Sequence, residues 1–141
     1  MVMAVCFLLD TNILSEPTKP RPNAQVMHRM AENSGQLAIA SVSYHEVMVG
    51  YLRLPQARKR REIEAYMRQS VEGVLMILPY CETAARWHAM ERVRLRQAGK
   101  TPAYLDGQIA AIAAINNLTL VTRNTSDFQY FQDLKIANWF E

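Results

Sequence analysis

Val2-Met3-Ala4-Val5-Cys6-Phe7-Leu8-Leu9 is apolar without a break and ends abruptly on Asp10-Thr11-Asn12. Eight apolar residues closed by a polar cluster predict a strand buried on both faces and followed by a loop, as in parallel sheets. Such a strand delivers Asp10 at its carboxyl end. The run is too short to cross a bilayer, no basic residue precedes it, and Asp10 stands where a signal peptide needs small residues. The expectation is a soluble, cytoplasmic protein with no membrane partner.

Downstream, helical and strand-like patterns alternate. After Lys19-Pro20-Arg21-Pro22, residues 23–33 place Val26, Met27 and Met30 on one helical face ahead of Gly35. Residues 37–40 read as a second strand. A helix over residues 43–54 resumes after Pro55 across residues 56–71, and Gly73 ends the pair. Residues 74–78 (VLMIL) read as a third strand, and residues 82–97 as a long helix closed by Gly99. Thr101-Pro102 supplies an N-cap and a first-turn proline for a buried helix over residues 103–116. Residues 118–121 and 134–139 give two more strands. Strands alternating with helices, without an antiparallel meander, predict one α/β domain spanning residues 1–141. Its mostly parallel central sheet is flanked by helices on both faces.

Composition narrows the function classes. The chain has 141 residues, half of them hydrophobic, and 16 Lys+Arg against 13 Asp+Glu leave a net charge of +3. That excludes a disordered chain, and 5 scattered Gly with 6 scattered Pro exclude a collagen or a linker. Cys6 and Cys81 lie far apart and match no disulfide or zinc spacing, so both read as buried small hydrophobes. The slight basic excess is compatible with an anionic partner but does not require one.

In an open α/β sheet, ligands bind outside the carboxyl ends of the strands. Strand one ends at Asp10, and strand two leads through Ser41-Val42-Ser43 to Glu46. Strand four ends at Thr122, followed by Asn124 and Asp127, and Asp106 is the sole acid in the second turn of the buried helix. Each acid also has a purely structural reading. Asp10 suits an Asx turn, Ser43-x-x-Glu46 matches a capping box, Asp106 suits a helix N-terminus, and Asp127 could cap residues 128–131. Taken together they need a counterion, since two carboxylates about 4 Å apart at an effective dielectric near 20 repel by roughly 4 kcal/mol. Without a Cys/His ligand set, the fitting ion is a hard divalent cation, Mg²⁺ or Mn²⁺. Such clusters hydrolyse phosphodiesters.

Four motifs, Leu8-Leu9-Asp10-Thr11-Asn12-Ile13-Leu14, Ser43-x-x-Glu46 with Gly50, Leu105-Asp106-x-x-Ile109-Ala110-Ala111, and Leu120-Val121-Thr122-Arg123-Asn124-x-x-Asp127-Phe128, resemble PIN-domain ribonucleases. The VapC and FitB toxins of bacterial toxin–antitoxin pairs are the nearest type. The resemblance implies an endoribonuclease toxin in which Asp10, Glu46 and Asp106 are the metal-binding acids and Asp127 is the more variable fourth. In some relatives that acid falls at the position of Asn124. Thr11, Asn12, Thr122 and Asn124 would support metal, water or phosphate. An RNA substrate, a small antitoxin and a homodimer are implied as partners.

Other features carry weaker signals. Arg58-Lys59-Arg60-Arg61 is either a solvated helix face or an RNA-phosphate contact. The same holds for Arg86, Arg92, Arg94, Arg96 and Lys100. Of three histidines only His45, beside Glu46, could approach the cleft. Tyr51, Tyr66 and Tyr130 read as exposed and suited to a protein partner. Two other classes compete: a phosphatase or phosphotransferase with a strand-end Asp nucleophile, which usually has a second carboxylate where this chain has Asn12, and a non-catalytic basic interaction module.

Overall fold

A computed structural model describes residues 4–141. Val2 and Met3 of the expected first strand lie outside the described residues. Within the rest of that run only Phe7–Leu9 is a strand, β1. Phe7 pairs with both Leu37 and Thr119, the first residues of the two flanking strands, and Cys6 before it still bonds Gln36 O and Thr119 N–H, each at 2.9 Å.

The remaining strands are β2 (Leu37–Ala40), β3 (Met76–Leu78), β4 (Thr119–Val121) and β5 (Lys135–Ala137). They form one sheet in the order β3-β2-β1-β4-β5, and every pairing is parallel. Adjacent residues of each strand face opposite sides. Leu8, Ala38 and Leu120 therefore enter one apolar cluster, and Leu9, Ile39 and Val121 another. The first cluster is roofed by α5 (Glu82–Gln97) and α6 (Tyr104–Ile115), which contribute Ala84, Leu95 and Ile109 through Ala113. The second takes Val26 from α2 (Ala24–Glu32), Tyr51 from α3 (Ser41–Leu52) and Ile63 from α4 (Arg58–Tyr66). The result is the expected α/β arrangement with helices on both faces.

Several local expectations are corrected. Asp10-Thr11-Asn12 opens a short helix, α1 (Thr11–Leu14), instead of a loop, because the Asp10 carboxylate caps it. The α3 helix starts at Ser41, two residues early, directly from the end of β2. Pro102 disfavours a helical Thr101 and Ala103 stays extended, so α6 opens at Tyr104 and Asp106 falls in its first turn. Residues 56 and 57 are not helical, and α4 passes into a π-helical turn over Met67–Val71. Of the three tyrosines only Tyr130 is exposed. Tyr51 is buried, and the half-buried Tyr66 donates its hydroxyl to Leu14 O at 2.7 Å. Cys81 is exposed and Cys6 half-buried, and both are free thiols. Gly99 does close α5: at φ +78° it takes the left-handed position that lets Lys100 N–H reach Leu95 O at 2.8 Å.

Candidate active site

With β2 on one side of β1 and β4 on the other, the chain leaves the centre of the sheet in opposite directions, which opens a crevice at the carboxyl ends of β1 and β4. Asp10 lies in this crevice. Its N–H donates to Val121 O at 2.9 Å, while Thr122 N–H donates to Ala137 O at 2.9 Å, so both residues are fixed by the continuing ladder. Asp10 Oδ1 accepts Thr11 N–H (2.8 Å), and Oδ2 accepts the Thr122 hydroxyl (2.8 Å) and Asn12 Nδ2 (3.3 Å). Asn12 Oδ1 in turn accepts Arg123 N–H (3.2 Å), and Thr122 Oγ1 accepts Asn124 N–H (3.1 Å). Burial pushes the Asp10 pKa up and outweighs these three hydrogen bonds, with the charge of Asp127 acting in the same direction.

Glu46 is exposed on α3 and accepts the Thr11 hydroxyl at 3.1 Å. The early start of α3 overturns the capping-box reading. Ser43 is inside the first turn, its buried hydroxyl has no partner among the described residues, and Glu46 is left facing the cleft. Asp106 is half-buried, and its pKa is pushed up to about 6, first by burial and then by the charges of Asp127, Asp10 and Glu46. Asp127 is exposed at the end of a 3₁₀ turn, Thr125–Asp127, that is fastened to the core by the buried Phe128 and Phe131. The other three acids are therefore all within electrostatic reach of Asp106. None of the four takes part in an ion pair among the described residues.

The donors gathered here are carboxylate, amide and hydroxyl oxygens, a hard set suited to Mg²⁺ or Mn²⁺. The unopposed negative charge on Asp106 fits a cation at this place. Among the described residues, no three His, Cys, Asp or Glu side chains are already drawn close enough to grip an ion. The acids surround a space without converging on a point.

Of the remaining expected residues, Thr11, Asn12, Thr122 and Asn124 all stand at the crevice. In the basic run Arg58, Lys59 and Arg61 are exposed, but three of its four side chains have partners within the chain. Arg58 pairs with Glu62 (2.9 Å) and Arg60 with Glu64 (2.7 Å), Arg60 also donates to Leu54 O, and Lys59 bonds Thr18 O. Arg94 is likewise held, by Glu91 and Tyr130 O. Beside Glu46 lies a cleft of about 580 Å³ lined by Thr11, His45, Glu46, Arg53, Leu105 and Gln108. Arg53 and Gln108 were not legible as site residues, although Arg53 follows Glu46 by seven positions and Gln108 follows Asp106 by two.

The sequence matches the PIN domain over residues 7–133. It is 31% identical to Toxin FitB of Neisseria gonorrhoeae across 93% of this chain and 96% of that one. It is 30% identical to the tRNA(fMet)-specific endonuclease VapC of Shigella flexneri across 94% and 97%. The crystal structure of FitAcB from Neisseria gonorrhoeae superimposes with a TM-score of 0.84 at 30% identity, covering 96% of this chain and 99% of that one.

Proposed function

Because this chain belongs to the PIN-domain family, with FitB and VapC toxins as relatives, we propose that its ribonuclease chemistry runs in the crevice between β1 and β4. Asp10, Glu46 and Asp106 would hold one Mg²⁺ or Mn²⁺, and Asp127, together with Asp10, would help to hold a second. Such an ion, when bound, would lower the pKa of a water nucleophile and offset charge on the phosphodiester. The protein supplies orientation. Thr122, Asn12 and the Thr11 N–H fix both oxygens of Asp10, leaving one acceptor site on Oδ1, and the Thr11 hydroxyl aims Glu46. Asn124, anchored through Thr122 Oγ1, stands at the lip where a phosphate enters.

The observation that carries this reading is Asp106, whose carboxyl feels three other acids and which forms no ion pair among the described residues. The protein acts as the toxin of a toxin–antitoxin pair, so its protein partner is a small antitoxin. It works in the cytoplasm as a homodimer. The test is cleavage of a panel of structured RNAs, with Mn²⁺ binding followed by calorimetry. Asp10→Asn and Asp106→Asn should each abolish cleavage and weaken Mn²⁺ binding. Wild-type rates in either variant would overturn the assignment, and wild-type protein that binds no Mn²⁺ would favour a non-catalytic interaction module.

A further inference from the structure

Four carboxylates around a crevice repel the polyanion that must enter it. A cation that those carboxylates do not absorb is needed at the lip. Arg58, Lys59 and Arg60 of the basic run have partners within the chain, and Arg94 is held by Glu91. Arg123 is different. It lies between Thr122 and Asn124, its N–H is bonded to the same Asn12 side chain that holds Asp10, and it is exposed. It forms no ion pair among the described residues. Glu16 is within its electrostatic reach but is committed to Lys19 at 2.9 Å and to Asn23 N–H at 2.8 Å.

What holds Arg123 is an aromatic ring. Its guanidinium carbon stands 4.5 Å from the centroid of Phe140. Phe140 packs against the cluster that contains Leu9 and Trp139, and its N–H donates to Asn138 Oδ1 at 2.9 Å, so the brace is itself anchored. A cation–π contact of this kind uses no N–H, and the Arg123 side chain makes no hydrogen bond or ion pair among the described residues, so its donors stay free. A guanidinium ordered in this way has already lost the rotamer freedom that an unbraced one loses on binding, and its fork matches two phosphate oxygens.

We propose that Arg123, braced by Phe140, grips a backbone phosphate of the RNA substrate beside the carboxylate crevice. This rests on the ribonuclease reading. It adds a substrate-gripping side chain on the β4–β5 side, away from the acids themselves.

The test is binding of a fluorescein-labelled single-stranded RNA to the full chain carrying Asp106→Asn, so that the probe survives, in Mn²⁺ across a series of KCl concentrations. Arg123→Gln should weaken binding by about tenfold and flatten the salt dependence by about one phosphate contact. Phe140→Leu should weaken it by a few-fold with the salt slope unchanged, because the charge remains and only its order is lost. In the catalytically intact chain, Arg123→Gln should raise KM more than it lowers kcat. The proposal falls if Arg123→Gln changes neither affinity nor salt slope while the parent protein binds RNA. It also falls if that variant loses antitoxin binding alone, which would make Arg123 a protein contact. A parent that neither binds nor cleaves RNA would instead overturn the ribonuclease reading, and this inference with it.

Discussion

Gly107 and His88 compete for one space: a Cβ built on Gly107 would meet three atoms of the His88 ring, the farthest of them at 2.9 Å. The ring is buried, its Nδ1 is hydrogen-bonded to the Tyr80 hydroxyl at 2.9 Å, and its position allows α5 and α6 to approach closely at the residue after Asp106. A methyl group at position 107 has to move the ring or the helix. Gly107→Ala should therefore destabilise the chain by about 1–3 kcal/mol, although a helix-interior glycine-to-alanine change otherwise gains up to about 1 kcal/mol. Urea denaturation checks this. His88→Ala in the same chain should recover part of the loss, giving a double-mutant coupling that two unrelated defects would not show.

Asp106 makes stability depend on pH in a definite direction. Its pKa is raised from 3.8 to about 6 in the folded chain, so between those values the folded state binds more protons than the unfolded state. Stability in a chelator should then fall as pH rises through about 4 to 6 and level off above. After allowance for solvent screening the loss from this group is about 1–2 kcal/mol. Thermal melts at pH 5 and pH 7.5 in EDTA should show it. Asp106→Asn should melt higher at pH 7.5, with a flatter profile.

Thr122 is buried, and its hydroxyl links the Asp10 carboxylate to Asn124 N–H. Thr122→Val keeps the shape but removes both bonds, leaving a backbone donor without its partner at a cost of about 1–3 kcal/mol. A donor that favours charged Asp10 is lost as well, so the Asp10 pKa rises further. The acid limb of the pH–rate profile should shift to higher pH, whereas a purely structural loss would lower the rate evenly across pH.

The basic run offers the opposite expectation. With Arg58 and Arg60 paired along their own helix, Gln at positions 58 to 61 together should lower stability by about 1 kcal/mol. RNA affinity should stay within about twofold at every salt concentration. A clear flattening of the salt slope would return this run to the substrate path.

Antitoxin binding should respond to metal. A crevice of unopposed carboxylates accepts either a divalent ion or a guanidinium, and a partner that inserts an arginine among Asp10, Glu46 and Asp106 competes with the ion. Antitoxin affinity should fall as Mn²⁺ rises, and Glu46→Gln should weaken it at low metal. Affinity indifferent to Mn²⁺ would mean that the partner docks outside the acids.

The layered fold and the grouping of the acids were legible because strand-end positions follow from apolar runs alone. A continuous run such as residues 37–40 allows few alternatives, and its end identifies the next polar residues as ligand-facing. The capping box, one of two local readings of residues 43–46, is not formed. Ser43-x-x-Glu46 satisfies the capping-box pattern, yet β2 runs directly into α3 and shifts the helix start to Ser41. The exposure of Tyr51, the ion pairing of the basic run and the brace under Arg123 all depend on which helix lies alongside. No pattern within a single segment records that.

The bond between Thr122 and Asp10 joins residues 112 positions apart, and β4 reaches the sheet only after most of the chain exists. At a synthesis rate of about 5–20 residues per second, roughly 6–22 s separate the emergence of the first acid from that of the strand that braces it. During that interval the nascent polypeptide has no assembled crevice. A fragment truncated before β4 should be harmless however much of it accumulates.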